Sequence, residues 1–254
     1  MKQLTILLNE ILQEGVYDPG ILKAVFLSGS AGAGKTAVSR QLFGIPADLK
    51  DSSFSAMGLK VLSSDRIFEI MLDKNGISKD LANLSPEDFL KATVGKDSLR
   101  EKAKNLTNEL TTHYLAGRLG MIIDTSGRHY DKVTNLSTEL KELGYDVYLI
   151  FVDTSFDKAL ERNNKRDKKL PEDVVKDVWE NAEKNKESFE QYFGSNMIVI
   201  QNDIDRKSGD YIDIDPQLMK TARRFVQSPV KNSIGVKWIK DMKEAKNKLK
   251  LEKV

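Results

Sequence analysis

Residues Gly29-Ser30-Ala31-Gly32-Ala33-Gly34-Lys35-Thr36 fit the pattern GxxxxGK[ST], the spacing of a phosphate-binding loop. Glycine lets the backbone turn so that several N–H groups point into one anion-sized hollow. A helix beginning near Gly34 adds the positive end of its dipole. In such a loop Lys35 reaches the β- and γ-phosphates and the Thr36 hydroxyl ligates Mg²⁺. The expected ligand is a nucleoside triphosphate, ATP with Mg²⁺, lined by all eight loop residues.

Ligands of open parallel sheets sit beyond the carboxyl ends of the strands, so the residues leaving each apolar run come next. Ser63-Ser64-Asp65-Arg66 places a carboxylate where it would face the γ-phosphate and accept the proton of an acceptor hydroxyl. Asp65 would serve equally as the cap of the segment Ile67-Phe68-Glu69. Asp124, after Met121-Ile122-Ile123, carries a carboxylate towards the Mg²⁺ shell, and Arg128 just beyond Gly127 is a candidate partner for a phosphate oxygen. Arg162 and Arg166 are four apart, a spacing that shares one helix face and suits a two-pronged lid over about 160–171. A solvated, charged helix end has the same composition. Asn202 follows the last apolar run, where a nucleotide base often lies. His113 and His129 read as structural or exposed, and Trp179 and Trp238 as packing residues.

Five apolar, β-branched runs would position these groups: 24–28, 59–63, 120–124, 146–152 and 197–201. They are continuous rather than alternating, as strands buried on both faces are. Helical stretches lie between them at 36–42, 98–115, 130–143 and 171–193, and Ser85-Pro86-Glu87-Asp88 has the form of a further helix start. Alternating β and α gives an α/β, doubly wound five-stranded parallel sheet. The connection over about 66–119 exceeds one crossover helix and reads as a helical insertion that walls the acceptor site. The expected organisation is a nucleotide-binding domain over 1–206 and a basic, helical C-terminal segment over 207–254.

Composition is that of a globular chain: 254 residues, 40% apolar and 31% charged. With no cysteine there are no disulfides or thiolate metal sites, and two histidines cannot build a histidine-rich metal centre. No 18-residue apolar run appears, and Glu10, Glu14 and Asp18 interrupt the first segment. The expectation is a cytoplasmic protein with no membrane partner. Net charge is +2 but uneven: from Gln217 to Val254 there are 11 Lys/Arg against 3 Asp/Glu. That basic end, with Arg223-Arg224-Phe225 and Trp238, fits either nucleic-acid contact or an amphipathic helix docked on the domain.

Taken together the motifs resemble P-loop kinases of the polynucleotide kinase and zeta-toxin type, especially small zeta-toxin-like kinases encoded by large tailed bacteriophages. The resemblance spans roughly 15–240 and rests on the phosphate loop, on Tyr17-Asp18-Pro19-Gly20 leading into the first strand, on Gly117 to Thr125, and on Glu161-Arg162-Asn163 running to Leu170-Pro171. It implies that Lys35 and Thr36 hold ATP and Mg²⁺, that Asp65 is the base, and that Arg162 and Arg166 belong to the lid. For a phage-encoded protein the compartment is the host cytoplasm. Two departures stand out. The loop is Ser30-Ala31-Gly32-Ala33-Gly34-Lys35 where these families commonly carry Pro-Gly-Ser-Gly-Lys. Polynucleotide kinases also place an acceptor-gripping Arg three residues after the base, where this chain has Phe68, leaving Arg66 as the candidate. The acceptor class therefore stays open among a polynucleotide 5′-hydroxyl, a nucleotide sugar and a nucleotide. A competing reading is a nucleotide-gated binding protein that docks nucleic acid or a virion partner without turnover.

Overall fold

The computed structural model describes residues 15–45, 55–203 and 212–251. The expected boundary at 206/207 lies outside them. Among the described residues β1 (Lys23–Ser28), β2 (Lys60–Leu62), β3 (Met121–Asp124), β4 (Asp146–Asp153) and β5 (Met197–Gln201) form one parallel sheet in the order β2-β3-β1-β4-β5. The helices that follow β1 and β2 are α1 (Lys35–Phe43) and α2 (Ser64–Lys74). Next come α3 (Pro86–Thr93), α4 (Leu99–Ala116) and α5 (Tyr130–Glu142). The chain continues with α6 (Phe156–Lys165), α7 (Glu172–Phe193), α8 (Pro216–Gln227) and α9 (Ser233–Leu251). The chain leaves central β1 for one side of the sheet, then returns past it to β4, so β1 marks the switch point where ligands gather.

Period-two alternation divides the core. Val25 and Leu27 of β1 face α1 and α8, packing with Val38, Leu42, Ala222 and Val226. Ala24 and Phe26 face the other way, towards Val133 and Leu140 of α5 and Phe189 and Phe193 of α7. Both faces are covered, which explains the unbroken apolar runs. The long connection between β2 and β3 is the helical insertion expected there. Its α2, α3 and α4 enclose a separate small core of Phe68, Leu72, Ala92, Leu99 and Ala103.

Two local outcomes differ from the sequence reading. The second strand stops at Leu62 because Ser63 caps α2, its hydroxyl accepting the Arg66 backbone N–H. Asp65 is thus not the cap but a first-turn residue. Similarly, α6 ends at Lys165, and Arg166 has extended backbone (φ −92°, ψ 161°). Arg162 and Arg166 therefore do not share a helix face.

The basic C-terminal helices dock on the sheet. Phe225 of α8 lies 4.8 Å from the Tyr148 ring, and Arg223 donates to the carbonyls of Leu42 and Gln41 at the C-terminal end of α1. At the opposite edge from the phosphate loop, buried Lys23 pairs with Asp146 at 2.8 Å. Asp146 also accepts the backbone N–H groups of Lys231 and Asn232, pinning the turn into α9. Asp146→Ala strips a buried ammonium of its counter-ion, and urea unfolding should show a loss of about 3 kcal/mol. None of the described helices is long and apolar enough to cross a membrane.

Candidate active site

The loop leaving β1 is pressed against its neighbours. A Cβ on Gly32 (φ 83°) would stand 2.2 Å from the Ala159 carbonyl oxygen, and one on Gly29 (φ 139°) would stand 2.4 Å from that of Val152. Backbone on both sides leaves no room to yield, so glycine is required at each. Asn202, 2% exposed at the end of β5, donates its side-chain amide to the Ala33 carbonyl at 2.6 Å and so braces the loop from the far strand. The N-terminus of α1 opens into the same turn through Gly34. Lys35 folds over it, Nζ donating to the carbonyls of Gly29 (2.8 Å) and Ser30 (3.1 Å). Burial pushes this ammonium below its ordinary pKa, against the carboxylates of Asp124 and Asp65.

Register aligns the carboxylates with the loop. Asp124 pairs with Leu27 of β1, and Ile123 pairs with Leu62, which brings Ser63 beside Asp124. One Asp124 oxygen accepts the Ser63 hydroxyl at 2.9 Å, while the other is buried without a hydrogen-bond partner. Burial pushes the Asp124 carboxyl up, opposed by Lys35. A buried, unsatisfied carboxylate oxygen is costly unless a cation or donor completes it. With the exposed Thr36 hydroxyl on the first turn of α1, the donor set fits Mg²⁺. Among the described residues no cluster of three or more His, Asp or Glu could cage a metal. The fit is accordingly to an ion held by one carboxylate, one hydroxyl, substrate oxygens and water, which is how Mg²⁺ binds at phosphate sites.

Asp65 also acts on Lys35. Its Oδ1 accepts Nη1 of Arg100 from α4, and Lys168 stands 3.4 Å from it and 3.2 Å from Glu69. Burial alone would raise the Asp65 pKa, but Lys168 and Arg100 overcome this and hold the carboxyl well below the usual range. The segment after α6 is folded back by fully buried Asn163, whose side chain exchanges hydrogen bonds with both backbone groups of Leu170. Asn163 also accepts Arg166 Nη2 at 3.1 Å. Arg166 Nε is buried with no partner, and the guanidinium feels Glu69 and Asp65.

The structure therefore gathers Lys35, Asp65, Asp124 and Arg166 of the residues singled out by sequence. It separates Arg162, whose Nη1 donates to the Asn202 carbonyl at 2.6 Å, and Arg128, which pairs with Asp177 on α7 at 3.2 Å. Arg66 stays on the first turn of α2. Sequence reasoning missed Arg100, Lys168, Asn163 and Ser63. The one signal for Ser63 was its position directly after an apolar run and three residues ahead of Arg66; the other three carry none.

Several solved structures are similar to this chain. One chain, described as a putative kinase from Chloroflexus aurantiacus J-10-fl, is 15% identical, with 80% of this chain and 97% of that chain covered and a TM-score of 0.49. Another, from the PezAT chromosomal toxin-antitoxin system of Streptococcus pneumoniae, is 16% identical over 98% of this chain and 96% of that one, with a TM-score of 0.47. A third, from the AvrRxo1-ORF1:-ORF2 structure with ATP, is 11% identical over 95% and 90%, with a TM-score of 0.45. No curated protein matches. The family model described as the AAA domain matches residues 25–188, from β1 through the phosphate loop and both carboxylates into α7, and the chain belongs to that family.

Proposed function

We propose that the cleft transfers the γ-phosphoryl group of ATP to a hydroxyl on a nucleotide-linked acceptor. The observation that carries this reading is the convergence of Lys35, Asp124, Asp65 and Arg166 at the carboxyl ends of β1, β2 and β3. A carboxylate beside the phosphate lysine can take the proton of an attacking hydroxyl, and the acceptor panel below separates transfer from hydrolysis. In this mechanism Lys35 exchanges its two loop carbonyls for β- and γ-phosphate oxygens. Mg²⁺, when bound at Thr36 and Asp124, supplies charge neutralisation for the triphosphate. Asp65 orients the acceptor hydroxyl and takes its proton as the new O–P bond forms and the bond to the ADP oxygen breaks. Arg166 offers its unsatisfied Nε–H to an equatorial oxygen of the transferring group. Arg162 acts one step back, tying α6 to the end of β5, and the segment 160–171 closes as a lid. Residues 1–206 form the catalytic domain in this account, and the C-terminal helices serve as its support.

The test incubates the protein with γ-labelled ATP and a panel of 5′-hydroxyl oligonucleotides, nucleoside monophosphates and UDP-sugars. Label should appear on one class of acceptor. Release of labelled phosphate with no acceptor marked would reject the transferase reading.

A further inference from the structure

Arg100 reaches Asp65 from the insertion, a separate layer from the sheet that carries the phosphate loop. Its guanidinium lies 5.1 Å above the Phe68 ring and donates one N–H to Asp65 Oδ1. The ring fixes the plane of the group. A guanidinium has five N–H donors, and this one is a third exposed, so it can hold an anion while still near Asp65. Against the same Oδ1 the Lys168 ammonium, 7% exposed, sits between Asp65 and Glu69 at separations looser than a tight charged hydrogen bond. Among the described residues the charged groups around Asp65 include Arg100 on α4, Lys168 and Arg166 after α6, Lys35 on α1, Asp124 on β3 and, sharing Lys168 with it, Glu69 on its own helix. Arg100 and Lys168 both lie on Asp65 Oδ1, so an acceptor hydroxyl that uses this oxygen competes with the guanidinium.

Building on the base assignment above, we infer that Arg100 is an acceptor-sensing latch: it holds Asp65 in the resting cleft and releases it to an acceptor that offers the guanidinium an anion of its own. An acceptor carrying a phosphate near its reacting hydroxyl exchanges one ion pair for another. A neutral acceptor must break the pair with nothing in return, so the latch selects phosphorylated acceptors by their charge. Arg100 is in this sense a positioning residue, acting through Asp65. Release also raises the basicity of Asp65, since Arg100 is one of the cations that depress it, with Lys168 and Lys35.

The test reads Asp65 itself by carboxyl ¹³C NMR, in full-length protein whose phosphate loop is filled with Mg·AMP-PNP, and uses inorganic phosphate as the probe. Millimolar phosphate should raise the Asp65 titration midpoint by about one pH unit, a tenfold gain in proton affinity, whereas chloride at equal ionic strength should not. Arg100→Gln should raise the midpoint by a similar amount and abolish the response to phosphate, while Arg100→Lys, which keeps the charge, should retain most of the low midpoint. An unchanged midpoint in Arg100→Gln, or no response of the wild type to phosphate, overturns the latch. Because the readout needs no turnover, it stands apart from the base assignment, which fails if Asp65→Asn still transfers phosphate.

Discussion

Lys35→Met should bind Mg·AMP-PNP poorly and lose phosphoryl transfer by at least about 10²–10³-fold, with an unchanged or higher melting temperature. Methionine keeps most of the length of the side chain and discards its charge. The ammonium now rests on two carbonyls of the loop that it would relinquish to phosphate oxygens. Burial already works against its charge, so removing it relieves the folded protein of a desolvation cost while taking away the main positive charge in the hollow. The expected signature is a stable protein without nucleotide affinity, measured by calorimetric titration alongside thermal unfolding. Near-wild-type affinity would place the triphosphate elsewhere.

Asp65→Asn separates binding from chemistry. ATP affinity should stay within a few-fold of wild type, because the hydrogen bond and ion pairs of Asp65 run to Arg100 and Lys168 rather than to the loop, and kcat should fall by about 10²–10⁴. The amide keeps the shape and loses both the proton acceptor and the partner of Arg100 and Lys168. The sign of the pH dependence follows from the direction of the Asp65 shift. A carboxyl held below its ordinary value stays ionised as pH falls through the usual carboxylate range, so its contribution to stability is present above that range and is lost only in stronger acid. The activity of the wild type should accordingly show no acid limb near pH 4 to 5 from this group.

Much of the architecture was legible because parallel strands covered on both faces leave unbroken apolar runs, and all five were located within a residue or two. The phosphate loop and the two strand-end carboxylates were legible for a related reason: a parallel sheet puts whatever follows each strand at one edge. What failed was anything decided by tertiary contact. Lys168 sits in the run Lys165-Arg166-Asp167-Lys168-Lys169, which reads as a wet helix end. It is buried because Asn163 folds the segment back and because Asp65 and Glu69, a hundred residues earlier, supply its counter-charges. Arg100 looks like any first-turn residue of an amphipathic helix, and only the packing of α4 on α2 turns it towards Asp65. The expected helical pairing of Arg162 and Arg166 assumed that α6 continued; its end at Lys165 sends one arginine to β5 and the other to the phosphate side.

The most direct measurement is a crystal structure with Mg·AMP-PNP bound. The account predicts that Lys35 Nζ leaves the Gly29 and Ser30 carbonyls for the β- and γ-phosphates, that the cation lies between Thr36 and the free oxygen of Asp124, and that Arg166 Nε points at the γ-phosphate. A nucleotide bound elsewhere, with Lys35 still on its loop carbonyls, would contradict it.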